Sequence, residues 1–186
     1  ALASASPPQP IGFNMGFDIW QRGTSSTTST VVPVADMWWK NVDANVEQVP
    51  VPSSSFNSTY TITVQKKAGA NKEACIRNPV PFPAKYHSNM RFYRNRTITF
   101  AADVICSTAT EAYISIFDGA TRTYSRAHTG GGTLERLLVT KTLALFASEL
   151  IVECWVRGTA NNSASAEFGN AACAVGSFAA LPYIPR

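Results

Sequence analysis

An all-β, antiparallel sandwich is the fold this sequence predicts, and two observations carry the reading. Apolar and polar residues alternate with a period of two in four separate stretches, and turn signals recur between them at short intervals. Alternation of that kind means one packed face and one wet face per strand, the mark of antiparallel sheets. A chain of 186 residues suits a single domain, which at this size buries roughly 70% of its unfolded surface and needs no metal or disulfide to fold.

The elements follow in chain order. Residues 1–14, ALASASPPQPIGFN, show no periodicity and carry Pro7, Pro8 and Pro10. Proline fixes φ and removes a donor, so this segment is expected to be an extended arm unable to enter a sheet interior. The domain itself is expected over residues 15–186. Tyr60, Ile62 and Val64 alternate with Thr59, Thr61, Thr63 and Gln65, and Ile98, Phe100, Ala102 and Val104 with Thr97, Thr99, Ala101 and Asp103. Ile114 and Ile116 alternate with Tyr113, Ser115 and Phe117. Leu150, Val152, Cys154 and Val156 alternate with Ile151, Glu153, Trp155 and Arg157. Further strands are expected over 17–20, 34–40, 45–49, 73–77, 123–128, 134–143 and 166–178. Turns are expected at 24–30, 50–55, 69–71, 118–119, 130–132 and 158–163, where Gly, Pro, Asn and Ser cluster. The stretch 136–148 competes as a helix, but Val139, Thr140 and Thr142 favour strand.

Composition narrows the function classes. Charged residues make up 15% of the chain against roughly 25% in an average soluble domain, which points to a surface partly covered by other subunits. The net charge of +4 is small and scattered, so nucleic acid is not an expected partner. No apolar run reaches the length of about 18 residues that a membrane helix needs, so no membrane insertion is expected. Neither is an export signal, since the N-terminus lacks a basic stretch followed by an apolar block. The four cysteines, Cys75, Cys106, Cys154 and Cys173, permit two disulfides in any of three pairings. Their apolar surroundings and the missing export signal favour buried, reduced thiols.

Four segments in order resemble a known domain. Residues 16–25, GFDIWQRGTS, precede 35–39, ADMWW; 128–140, HTGGGTLERLLVT, follows; and 173–185, CAVGSFAALPYIP, closes the chain. The set resembles the β-jelly-roll domain of tailed-bacteriophage virion surface proteins, which is similar in architecture to carbohydrate-binding jelly rolls. Met37 stands where that family commonly has a basic residue, and Leu134 where it commonly has a tryptophan. The resemblance implies a jelly-roll sandwich and a virion structural protein. In local terms Gly23 suits a turn with positive φ, and Trp20 and Trp38 each bury on the order of 200 Å² to anchor the two sheets.

Chemistry is weakly represented. His87 and His128 stand in no metal-ligand spacing, no GxSxG elbow is present, and nothing nominates a carboxylate pair. The chain is therefore read as non-enzymatic and without a cofactor, with a bound calcium left open. Trp155 alternates outward between Glu153 and Arg157, and Trp39 has the opposite parity to Trp38, so Trp39, Glu153, Trp155 and Arg157 are the candidates for a glycan platform or a subunit interface. Basic and aromatic residues interleave over 85–96 and could stack bases, but an acidic protein surface such as the outside of a capsid would attract Arg91, Arg94 and Arg96 equally. Those three arginines, with Pro7, Pro8, Pro10, Ile11 and Phe13 of the arm, are the expected subunit or virion contacts. The expectation is thus a capsid decoration protein, homotrimeric by analogy, attached at the virion surface to the major capsid protein. The alternative is a tail fibre or appendage domain that binds host glycans.

Overall fold

The computed structural model describes residues 11, 17, 25–27, 32–35, 38–41, 43–50, 56, 60–68, 73–80, 87–158 and 164–182. Among them twelve strands run in chain order: β1 (Ser25–Ser26), β2 (Val32–Pro33), β3 (Trp39–Lys40), β4 (Ala44–Pro50), β5 (Tyr60–Lys66), β6 (Glu73–Pro79), β7 (Thr97–Cys106), β8 (Ala112–Phe117), β9 (Arg122–Tyr124), β10 (Leu134–Thr142), β11 (Ile151–Arg157) and β12 (Ser165–Val175). A short 3-10 helix, His87–Phe92, precedes β7. The first sheet has the order β1-β4-β5-β12-β7-β10 and the second β2-β3-β6-β11-β8-β9. Every pairing is antiparallel. The expected antiparallel sandwich is the architecture found.

The period-two stripes set the inner faces. Ile62, Val64, Ile98, Phe100, Val104, Leu137, Val139 and Phe168 of the first sheet meet Ile76, Ile114, Ile116, Val152, Cys154 and Val156 of the second in one core. Two apolar faces in contact are the only arrangement that removes both from water at once. Trp38 is fully buried in this core, its ring 4.6 Å from that of Phe17. The four cysteines are buried free thiols.

Some strand expectations change in detail. The stretch 34–40 is not one strand: the Val34 amide donates to the Trp38 carbonyl at 2.8 Å and the Trp38 amide to that of Ala35 at 2.9 Å. The chain therefore reverses between β2 and β3, with Trp38 driven inward and Trp39 outward. The stretch 136–148 is strand as far as Thr142, with Leu137, Val139 and Lys141 facing in, and then becomes loop. Of 123–128 only residues 123 and 124 belong to a strand. Of 17–20 only Phe17 is described, at a φ of 63°. Trp20 and Gly23 lie outside the described residues, as do Pro7, Pro8, Pro10 and Phe13 of the arm.

The outward face of the first sheet is closed by the end of the chain. Residues 176–182 cross it, with the Phe178 amide donating to Thr99 Oγ1 at 3.2 Å and an Arg136 Nη donating to the Leu181 carbonyl at 2.6 Å. Leu181 packs there on Ala101 and Ala174 in a second, small apolar cluster. Beside it β12 bulges between Gly169 and Ala172. Asn170 takes a φ of 46° at the bulge and donates to Asp103 Oδ2 at 2.6 Å. Gly169 is required, because a Cβ there would lie 2.4 Å from the Phe56 ring. The outward face of the second sheet carries the exposed rings of Trp39 and Tyr124.

Candidate functional site

Register decides which side chains share that face. Trp39 on β3 stands opposite Arg77 on β6, Arg77 opposite Glu153 on β11, Glu153 opposite Ser115 on β8, and Ser115 opposite Tyr124 on β9. These five residues form one row across five strands. The next row holds Cys75, Trp155 and Tyr113, and beyond it Glu73 faces Arg157. Trp39 and Tyr124 end the first row and are the exposed aromatic rings on it, at 37% and 36%.

The middle of the face is a polar network. Both Glu153 oxygens accept from Arg122, at 2.5 Å and 3.1 Å, the bidentate geometry that a guanidinium fork and a carboxylate favour. Glu153 Oε2 also accepts from Ser115 Oγ at 2.7 Å and from Trp155 Nε1 at 3.2 Å, and the same indole N–H reaches Ser115 Oγ at 2.9 Å. Glu153 is 1% exposed, so its charge is stabilised by these bonds and not by water. Burial works against the charge on Arg122, but the hydrogen bond and charge of Glu153 outweigh it and raise the guanidinium pKa.

Aromatic rings and arginines stack over this network. The Arg122 guanidinium lies 4.7 Å from the Phe117 ring and 5.1 Å from that of Trp155. Arg157 lies 4.3 Å from Tyr124 and 5.2 Å from Trp155, and pairs with Glu73 at 3.1 Å. Tyr124 also meets Trp155 edge-on at 6.3 Å. Each such contact contributes on the order of 0.5–1 kcal/mol and holds the rings in place.

The four aromatic and charged candidates, Trp39, Glu153, Trp155 and Arg157, therefore lie on one face. They point outward as alternation implied, but Glu153 and Trp155 are buried there. Trp155 points away from the core yet is 8% exposed, because Tyr124 and the two arginines cover it. Arg77, Tyr113, Ser115, Arg122 and Tyr124 were not singled out in the sequence. Period two places Tyr113 and Ser115 outward, but nothing local tells that β9 and β6 bring their residues alongside.

The other candidates sit elsewhere. Ile11 is half-buried against the core of its own domain, its amide donating to the Cys173 carbonyl at 2.7 Å. Arg91 is exposed in the 3-10 helix and Arg96 between that helix and β7; Arg91 lies 4.8 Å from the Phe92 ring, and Arg94 Nε donates to the Ala147 carbonyl at 3.0 Å. Leu134 is 43% exposed at the start of β10. His128 is buried, with Nε2 set between the Val104 and Thr133 carbonyls and Nδ1 accepting from the Gly130 amide at 2.8 Å, so it holds the glycine turn of 130–132. Among the described residues no three His, Cys, Asp or Glu converge as a metal site.

No family model matches the chain, and no curated protein matches it in sequence. Solved structures share its fold. The enzymatically active domain of tailspike protein 4 from bacteriophage CBA120 superposes with a TM-score of 0.58 at 10% identity, over 89% of this chain and 21% of that one. The chain thus spans about a fifth of that tailspike chain. The xylan-binding CBM22-1 domain of Paenibacillus barcinonensis Xyn10C gives 0.56 at 8% identity, over 92% of this chain and 97% of that one. A cyclase from Fischerella sp. TAU gives 0.60 at 11% identity, over 92% and 98%. The fold is that of carbohydrate-binding jelly rolls, and both binding modules and enzymes are built on it.

Proposed function

We propose that this chain is a non-catalytic glycan-binding domain that takes a polysaccharide across the outward face of its second sheet. The observation that carries the reading is the row Trp39, Arg77, Glu153, Ser115, Tyr124. An exposed aromatic ring at each end can stack on the apolar face of a sugar ring, and the half-buried Arg77 between them can meet its hydroxyls, while Glu153 and Ser115 are buried. Four strand spacings separate the two rings, a span of about 19 Å that several linked sugars would fill. Glu153 is consumed by Arg122, Ser115 and Trp155, so it serves as a rigid support and not as an acid or base. The similarity to a xylan-binding domain supports this reading.

The test is binding of the intact chain and of Trp39→Ala and Tyr124→Ala to immobilised polysaccharides by affinity electrophoresis. Each substitution removes a half-exposed ring, so the folded state should be retained while affinity falls roughly tenfold, the scale of about 1–2 kcal/mol per stacked ring. Unchanged retention of the double variant would remove this face from consideration.

A virion location is a proposal on the sequence resemblance, with the likeness to a tailspike domain as support for the tail-borne alternative. Capsid decoration and trimer formation rest on that resemblance; contact through Arg91, Arg94 and Arg96 rests on their charge, and contact through the arm on its prolines. They would be tested by assembling virions with the chain lacking residues 1–10. Retention of the truncated chain on the particle would refute attachment through the leader.

A further inference from the structure

We infer that the glycan taken by this face carries carboxylates, as a uronic-acid polymer does, and that Arg77 receives them; the inference rests on the glycan-binding reading above. The argument is one of unbalanced charge at the centre of the row. The natural counter-charge of Arg77 is Glu153, which stands directly opposite it in the strand register. Glu153 is already committed. Its two oxygens take four bonds, two from Arg122 and one each from Ser115 and Trp155. None of these bonds comes from Arg77, and each of the two oxygens is already held by Arg122.

The second acid of the face is committed as well, since Glu73 pairs with Arg157 at 3.1 Å. The remaining outward neighbours of Arg77 along its own strand are Cys75 and Pro79, and across β3 it has Trp39, none of which carries charge. Among the described residues Arg77 has no hydrogen-bonded or ion-paired partner. Among the described residues this face has three arginines against two glutamates, and the one left over, Arg77, is half-buried and beside an exposed tryptophan. A half-buried guanidinium has lost part of its hydration, so an incoming anion is favoured there more than at an open surface. The planar fork fits a carboxylate in two parallel bonds, while Trp39 is placed to stack on the ring that bears it.

The test compares three probes on the full chain: polygalacturonate, neutral xylan, and dextran sulfate as a polyanion without carboxylates. Arg77→Gln and Arg77→Lys are measured alongside wild type, with melting curves as a check on folding. Polygalacturonate is expected to bind more tightly than xylan or dextran sulfate. Arg77→Gln should lose about ten- to a hundredfold on polygalacturonate and little on xylan, the scale of losing charge-assisted hydrogen bonds. Arg77→Lys should recover part of the loss, because a point charge replaces the fork. Binding of xylan alone, equal binding of dextran sulfate, or indifference of the polygalacturonate affinity to Arg77→Gln would each overturn the carboxylate inference while leaving glycan binding intact. Binding of no polysaccharide at all would overturn the glycan reading itself.

Discussion

The Arg122–Glu153 pair makes the strongest quantitative test of how this face is built. Arg122→Ala leaves a carboxylate that is 1% exposed without its cation. Breaking a buried pair from one side costs about 3–5 kcal/mol. Arg122 is 29% exposed, so its removal admits water to Glu153, and the lower end of that range, about 3 kcal/mol, is expected. For a chain of this size each kcal/mol shifts the melting temperature by about 2–4 °C, which gives a fall of roughly 6–12 °C. Glu153→Gln keeps the shape and one acceptor oxygen, and should cost about 1–2 kcal/mol. In the double variant the stranded charge no longer exists, so Glu153→Gln should there be neutral or stabilising. Urea unfolding of the four chains measures the coupling, expected at about 1–3 kcal/mol. Strict additivity, or an Arg122→Ala chain that melts with wild type, would refute the idea that Glu153 is held by a desolvated ion pair.

Three further outcomes follow from the same reasoning. Hydrogen bonds from Thr129 and Arg126 hold Glu135 at about 2, against an ordinary 4.5; its folded pKa lies below the unfolded one, so its contribution is full above 4.5 and is lost as pH falls toward 2. Glu135→Gln should flatten acid unfolding across that window, and parallel acid curves for the two chains would contradict it. Burial, with the Glu153 charge adding to it, pushes the Cys75 thiol up to about 12, and burial raises Cys106, Cys154 and Cys173 too; iodoacetamide at neutral pH should therefore modify none of the four in the native chain and all four in denaturant, as read by mass spectrometry. Gly169→Ala forces a methyl into the Phe56 ring and Thr61 and should destabilise by about 1–3 kcal/mol in chemical denaturation; Gly131→Ala meets no atom within 4 Å but keeps a φ of 77°, and should cost about 1 kcal/mol from backbone strain alone.

Much of the sandwich can be read from single strands. Ile114 and Ile116 face inward and Tyr113, Ser115 and Phe117 outward because a strand turns successive side chains to opposite sides. The same parity separates the buried Trp38 from the exposed Trp39, even though the stretch around them turns back on itself and is not one strand. Lysines test this rule. Lys66 and Lys141 occupy inward positions of β5 and β10, where alternation alone would seat an apolar residue. Lys141 is tolerated there because its ammonium lies 3.2 Å from Asp118 at the margin between the sheets.

What local pattern cannot supply is the pairing of distant strands. That Trp39, Arg77, Glu153, Ser115 and Tyr124 share a row depends on the order β3-β6-β11-β8-β9 and its register, which are set by long-range packing and not by the residues of any one strand. Parity says that Trp155 points away from the core; it does not say that Tyr124, Arg122 and Arg157 will lie over it. Nor does it say that residues 176–182 will cross the outer face of the first sheet. Alternation is a property of neighbours in sequence, so the chain announces its two faces and its core. A site assembled from side chains on five strands exists only after those strands have met.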